Sequence, residues 1–133
     1  MRESRTHRER RVLLIEDDFT LEPVFEKVLH EIDPNIEMEV VPSGEDALDR
    51  LDVKGASQYS LVIADIFLEG KITGVDLCSL IQNIYPTMPI LVVSALPQGK
   101  YFDFLGTQTV SPPYLEKPFR FSEAKTVIRD LLN

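Results

Sequence analysis

Three short, unbroken apolar runs constrain this chain more than any other feature: Val12-Leu-Leu-Ile15, Leu61-Val-Ile-Ala64 and Pro89-Ile-Leu-Val-Val93. A strand with one wet face alternates apolar and polar residues, so a run without alternation belongs to a strand covered on both sides. The segments between these runs have helical spacing instead. Around Thr20–Glu31, residues Leu21, Val24, Phe25, Val28, Leu29 and Ile32 fall on one helical stripe, with Pro23 tolerable in a first turn. Asp33-Pro34-Asn35 stops that helix. Ile36–Val41 alternates with glutamates, as an edge strand does, and Ser43 can cap a helix running through Ala47, Leu48 and Leu51. A helix is predicted from about Val75 to Ile84, closed by Tyr85-Pro86. A last short strand is predicted over Pro113–Glu116, and a final helix over Ser122–Leu132 with Val127, Ile128 and Leu131 inward. Buried strands alternating with helices make an α/β parallel sheet with helices on both faces. The 133 residues accommodate five such units in one domain.

Composition then narrows the function classes. The hydrophobic share of 44% is that of an ordinary globule, and no apolar run approaches membrane-spanning length. The single cysteine, Cys78, cannot form an internal disulfide, and the basic N-terminus has no apolar signal core; a cytoplasmic location is expected. A net charge of −8 argues against nucleic-acid binding by the globular part. Residues 1–11 carry Arg2, Arg5, Arg8, Arg10 and Arg11 against Glu3 and Glu9. Residues 1–10 therefore read as a flexible, solvated Arg-rich tail, and 11–133 as the domain.

In such sheets ligands bind beyond the carboxyl ends of the strands, where strand order switches. The residues following the strands are Glu16, Asp17 and Asp18 after the first, Asp65 after the third, Ser94 after the fourth and Lys117-Pro118 after the fifth. Adjacent carboxylates repel unless water or a cation faces them. Clustered carboxylates suit Mg²⁺, a hard cation. A lysine and a hydroxyl supply donors for phosphoryl oxygens, and a carboxylate within that ring can attack phosphorus. Each residue alone has a plainer reading: an exposed acidic turn, a helix cap at Asp65, a turn former at Ser94, a surface lysine at 117. Their joint placement at successive strand ends favours a site.

At these positions the sequence resembles the receiver domains of two-component response regulators. The resemblance is carried by Val12-Leu-Leu-Ile-Glu-Asp-Asp18, Leu61-Val-Ile-Ala-Asp-Ile66, Gly74-Val-Asp-Leu77, Ile90-Leu-Val-Val-Ser-Ala95 and Tyr114-Leu-Glu-Lys-Pro-Phe119, in the family's order across residues 11–132. It implies a doubly wound five-stranded sheet of flavodoxin-like order 2-1-3-4-5. It implies Asp65 as phosphoacceptor and metal ligand, Asp17 as direct Mg²⁺ ligand, Glu16 acting largely through water, and the Phe67 carbonyl completing the set. Ser94 and Lys117 match the groups that bond the phosphoryl oxygens, and Tyr114 the aromatic switch that turns inward when Ser94 moves. The Lys117–Pro118 bond is expected to be cis, and Asp18 to face solvent or start the next helix.

Two segments depart from the family pattern. After Asp65 the loop reads Ile66-Phe-Leu-Glu-Gly-Lys-Ile-Thr-Gly74, with Glu69 where a proline is usual and one residue inserted. An altered rim with an intact metal site is expected, Glu69 and Asp76 reading as solvated charge. Between Ala95 and Pro113 the sequence is broken by Pro97, Gly99, Gly106 and Pro112, so a short or displaced helix near Lys100–Leu105 is expected. Tyr101, Phe102 and Phe104 there are core residues or an exposed aromatic patch. Phe67 and Leu96 flank the expected line of water attack and cannot orient a water, which predicts slow loss of the phosphoryl group.

The sequence thus reads as a phosphoaccepting receiver domain, not a turnover enzyme, taking its phosphoryl group from a sensor histidine kinase or histidine phosphotransfer protein. No membrane contact is expected; a homodimer is compatible with the sequence, as are a stand-alone regulator and a fragment of a larger one. One alternative is a receiver-like interaction module that never carries phosphate. Another is a flavodoxin-like nucleotide or flavin binder, disfavoured because no Gly-rich loop follows the first strand.

Overall fold

The computed structural model of the chain describes residues 10–16, 20–66, 73–97, 99–100 and 112–133. Its strands are β1 (Arg11–Ile15), β2 (Glu37–Val41), β3 (Leu61–Asp65), β4 (Ile90–Ser94) and β5 (Tyr114–Glu116). All pair in parallel, in the order β2-β1-β3-β4-β5. Among the described residues four α-helices accompany them: α1 (Glu22–Ile32), α2 (Gly44–Lys54), α3 (Gly74–Ile84) and α4 (Phe121–Leu132). None is long and apolar enough to cross a membrane.

The apolar runs are buried on both faces, as their lack of alternation requires. Leu13, Ile15, Val62, Ala64 and Val92 pack under α2 and α3 with Ala47, Leu51, Leu77 and Ile81. Val12, Leu14, Leu61, Ile63, Leu91, Val93 and Leu115 pack on the other side, under α1 and α4, with Phe25, Val28, Leu29, Ala124 and Ile128. Successive strand residues point to opposite faces, so each strand feeds two cores at once. A fully buried leucine or isoleucine contributes about 1.5–3 kcal/mol, which makes the sheet centre the most costly place to alter.

Local signals set the helix boundaries. Ser43 caps α2 by accepting from the Asp46 N–H at 3.2 Å. Thr73 does the same for α3 through the Asp76 N–H at 3.1 Å, so this helix starts one residue before the predicted Val75. Helix α1 begins at Glu22 instead of Thr20, with Leu21 as an N-cap that makes no side-chain bond. Pro23 fixes that start: within the first turn it loses no hydrogen bond, whereas deeper in a helix it would. Before α4, the Glu123 carboxylate accepts from the Arg120 N–H at 3.0 Å. Gly99 and Lys100 are helical, but the remainder of the predicted Lys100–Leu105 helix, with Tyr101, Phe102 and Phe104, lies outside the described residues. The Arg-rich stretch 1–9, Asp17, Asp18, Phe67 and Glu69 lie outside them as well.

Candidate functional site

Register and side-chain parity together decide which residues meet at the carboxyl rim. Ile15 pairs with Ala64, so Glu16 comes abreast of Asp65; Asp65 pairs with Val93, and Ser94 with Glu116. Glu16 shares the parity of Leu14, Asp65 that of Ile63, and Lys117 that of Leu115, all on the α1/α4 side of the sheet. Ser94 shares the parity of Val92, and Tyr114 itself packs against the α2/α3 core. The rim is therefore divided. Two carboxylates and an ammonium stand on one side, a hydroxyl and an aromatic ring on the other.

On the first side Lys117 Nζ donates to Asp65 Oδ2 at 2.8 Å and to Glu16 Oε2 at 3.2 Å. Both carboxylates are deeply buried, at 2% exposure for Glu16 and 7% for Asp65. Burial pushes the Lys117 amine down, but the Asp65 hydrogen bond and the charges of Asp65 and Glu16 outweigh it and hold the amine above the ordinary lysine value. Lys117 thus stays a cation between two anions, and the described part of the site has one positive group for two negative ones. The strand ends are tied at the backbone: Glu16 N–H donates to the Val41 carbonyl at 3.1 Å and Lys117 N–H to the Ser94 carbonyl at 2.8 Å. The Lys117–Pro118 peptide is cis, as expected from the resemblance.

On the second side Ser94 is fully buried, and its hydroxyl oxygen accepts from the Leu96 N–H at 3.2 Å. The Tyr114 hydroxyl donates to the Ser94 carbonyl at 3.3 Å and also to the Leu96 carbonyl. Burial raises the Tyr114 phenol above its usual range, the Ser94 side-chain hydroxyl pulls the other way, and the charges of Glu116 and Asp65 raise it further. The tyrosine is thus a neutral donor latched onto the turn Ser94–Leu96. The Leu96 carbonyl was not predicted: an acceptor on the backbone leaves no trace in residue type.

Five of the seven predicted site residues, Glu16, Asp65, Ser94, Tyr114 and Lys117, come to this rim. The other two, Asp17 and Phe67, lie outside the described residues. No group of three or more His, Cys, Asp or Glu with metal-holding geometry occurs among the described residues. The donor set nonetheless fits a hard dication. Glu16 and Asp65 offer only carboxylate oxygens, buried and short of positive charge, and Asp17 follows Glu16 directly in sequence.

The structure is thus a doubly wound parallel sheet with acidic side chains and a lysine at its carboxyl rim. Comparison with known proteins gives the family. A family model described as "Response regulator receiver domain" matches residues 12–129. The chain belongs to that family. It is similar to a response regulator receiver protein from Sinorhizobium medicae, with 28% identity, TM-score 0.76, and coverage of 94% of this chain and 95% of that one. It also shares its fold with the signal receiver domain of an HD-domain-containing protein from Pseudomonas fluorescens (20% identity, TM-score 0.78, 94% and 95% covered). A receiver domain protein from Clostridium thermocellum does likewise (21% identity, TM-score 0.76, 93% and 94% covered). No curated protein sequence matches the chain.

Proposed function

We propose that this receiver domain accepts a phosphoryl group on Asp65 from a phosphohistidine on a sensor kinase or histidine phosphotransfer protein. One observation carries the proposal: Lys117 Nζ lies 2.8 Å from Asp65 Oδ2 at the carboxyl rim, with Glu16 on its other side. An Asp65 oxygen attacks phosphorus, the phosphorus–nitrogen bond breaks, and the donor imidazole leaves with the bonding pair. Lys117 already faces the attacking carboxylate and turns to the phosphoryl oxygens as they arrive, so little reorganisation accompanies the step. Glu16, Asp17, Asp65 and the Phe67 carbonyl would hold Mg²⁺, which supplies the positive charge that lets two anions approach each other.

The change in output follows from the second side of the rim. To donate its O–H to a phosphoryl oxygen, the Ser94 hydroxyl has to reorient toward Asp65, and its bond from the Leu96 N–H shifts with it. The turn Ser94–Leu96 is where Tyr114 is latched, so reorientation there shifts the balance between positions of the tyrosine. Leu96 lies at this turn and has no side-chain group to orient water, and Phe67 has none either. We therefore expect slow loss of the phosphoryl group. Cys78 is buried, its thiol pushed up to about 12 by desolvation, which suits a protein of the reducing cytoplasm.

Mass spectrometry after incubation with a small phosphodonor and Mg²⁺ tests the reading. One added phosphoryl group in the parent and none in Asp65→Asn is expected. No addition to the parent would favour the alternative, an interaction module that never carries phosphate. Phe67→Asn should speed decay of the phosphorylated form by about tenfold through better positioning of water; an unchanged decay rate would remove that part.

A further inference from the structure

The large hydrophobic side chains that stand exposed among the described residues lie on one side of the sheet. They are Val53 near the end of α2 and Leu80 and Ile84, one turn apart on α3, at 72%, 37% and 56% exposure. Next to Ile84 a groove of about 350 Å³ opens near the amino-terminal ends of β3 and β4, lined by Ala56, Tyr59, Ile84, Tyr85, Thr87 and Met88. Its lining comes from two stretches without formal charge, one between Lys54 and Asp65, the other between Asp76 and Lys100. The second is the longest uncharged interval in a chain of which 27% of residues are charged. Ion pairs stand beside this region, where Glu39 meets Arg50 and Lys54 of α2, and on the opposite side, where Lys125 meets Glu31 at 3.2 Å; the α3 face and the turn after it carry none among the described residues.

Loss of charge around an apolar centre is the compositional mark of an interface core. The missing charge also selects the occupant. A nucleic acid, an anionic membrane or a charged peptide seated on Leu80, Ile84 and the turn at residues 85–89 would give up hydration and find no counter-charge in that stretch. A second copy of the chain brings a surface as neutral as the first. Each copy carries a net charge of −8, so contact through charged faces sets carboxylates against carboxylates, and this face avoids that repulsion. We propose that this face joins two copies across a twofold axis, α3 running antiparallel to its counterpart so that Leu80 of one copy packs on Ile84 of the other. The groove lies near the Leu61 end of β3 and the acceptor at the Asp65 end, so phosphoryl uptake is independent of the contact.

Sedimentation velocity of the full chain over a concentration series tests this, with Ile84→Lys and Thr87→Lys alongside the parent. The parent should show a concentration-dependent dimer, and each variant should dissociate at least about tenfold more readily, because the axis brings both introduced ammonium groups together. Melting by circular dichroism at concentrations where the parent is monomeric, and phosphoryl uptake, should match the parent in both. Thr87 is already exposed and polar, so that variant serves if Ile84→Lys perturbs the fold. A parent that stays monomeric throughout, or a dimer indifferent to both substitutions, overturns the proposal.

Discussion

Two groups of charged side chains on this sheet are built to opposite ratios. At the β1–β2 edge, Glu39 accepts from Lys54 Nζ at 3.1 Å and from the Tyr59 hydroxyl at 2.9 Å, and it pairs by charge alone with Arg11 Nε at 3.3 Å and Arg50 Nε at 3.7 Å. Glu37 receives Arg11 Nη2 at 2.7 Å. At the carboxyl rim, Lys117 is the described cation that meets both Asp65 and Glu16. The edge cluster has more cations, Arg11, Arg50 and Lys54, than anions, Glu37 and Glu39. The rim is short of positive charge, buried, and followed in sequence by another carboxylate. Carboxylates outnumbered by cations have little to offer a dication, whereas a rim left anionic would attract one, as the proposed function requires. The local ratio of charges, more than their number, separates scaffold from site.

Removing Lys117 should produce the largest effect that separates the two clusters. In Lys117→Ala, Asp65 and Glu16 face each other without their shared cation. Losing one partner of a buried ionic group costs about 3 kcal/mol of stability in the absence of Mg²⁺. Phosphoryl uptake should slow by about 10²–10³-fold, the usual cost of deleting one preorganised donor. Added Mg²⁺ should restore part of the stability by supplying the missing charge. Urea unfolding with and without Mg²⁺ measures this, and a stability loss indifferent to the metal would mean that the rim holds no dication.

The two clusters were not equally legible in the sequence. Glu16, Asp65, Ser94 and Lys117 stand at the ends of recognisable strands, so the rule that sites form beyond those ends gathers them without any knowledge of packing. Resemblance added Tyr114. The finer division of the rim into two sides needed strand parity, which single motifs do not display. The edge cluster left no signal, because Arg11, Glu39, Arg50, Lys54 and Tyr59 are spread along the chain and joined by the register of β1 on β2 and by the fold of α2. The Thr73 cap was missed because Thr73 lies in a loop that departs from the family pattern. The start of α1 was placed early because the helical spacing of apolar residues begins at Leu21; the position of Pro23 decided otherwise.

Glu39→Gln should have a smaller effect than loss of Lys117, about 1–2 kcal/mol, and Mg²⁺ should not change it. Its pH dependence sharpens the contrast. Burial pushes the Glu39 carboxyl up, but hydrogen bonds from Lys54 and Tyr59 and the nearby cations outweigh it, leaving the carboxyl below its usual range. A lowered acid contributes fully above its unfolded value, and the contribution is lost as pH falls through the folded one, here below about pH 4.5. Lys117 behaves oppositely: its raised value means full contribution below the ordinary lysine range, lost as pH rises through the folded value. Urea midpoints across pH should therefore show Glu39→Gln closing its gap to the parent in acid and Lys117→Ala closing its gap in alkali. Gaps that close at the same end of the scale would refute the assignment.

The alkaline side has a second contributor, and Tyr59→Phe isolates it. Burial, together with the bond to Glu39, pushes the Tyr59 phenol from 10.0 to about 12. Its unfolded form ionises first as pH rises, so its share of stability is complete below about pH 10 and is lost on the way to 12. The substitution keeps the ring in the α2/α3 core and removes only the hydroxyl, so at neutral pH the cost should be about 1 kcal/mol, less than for Glu39→Gln. Between pH 10 and 12 that deficit should shrink and then reverse, because the variant has no phenol to ionise when unfolded. Lys117→Ala measured in the Tyr59→Phe background would then report the rim alone at high pH. A deficit that stays constant from neutral to alkaline pH would show that burial and Glu39 together do not hold the phenol protonated, and Tyr59 would drop out of the edge cluster.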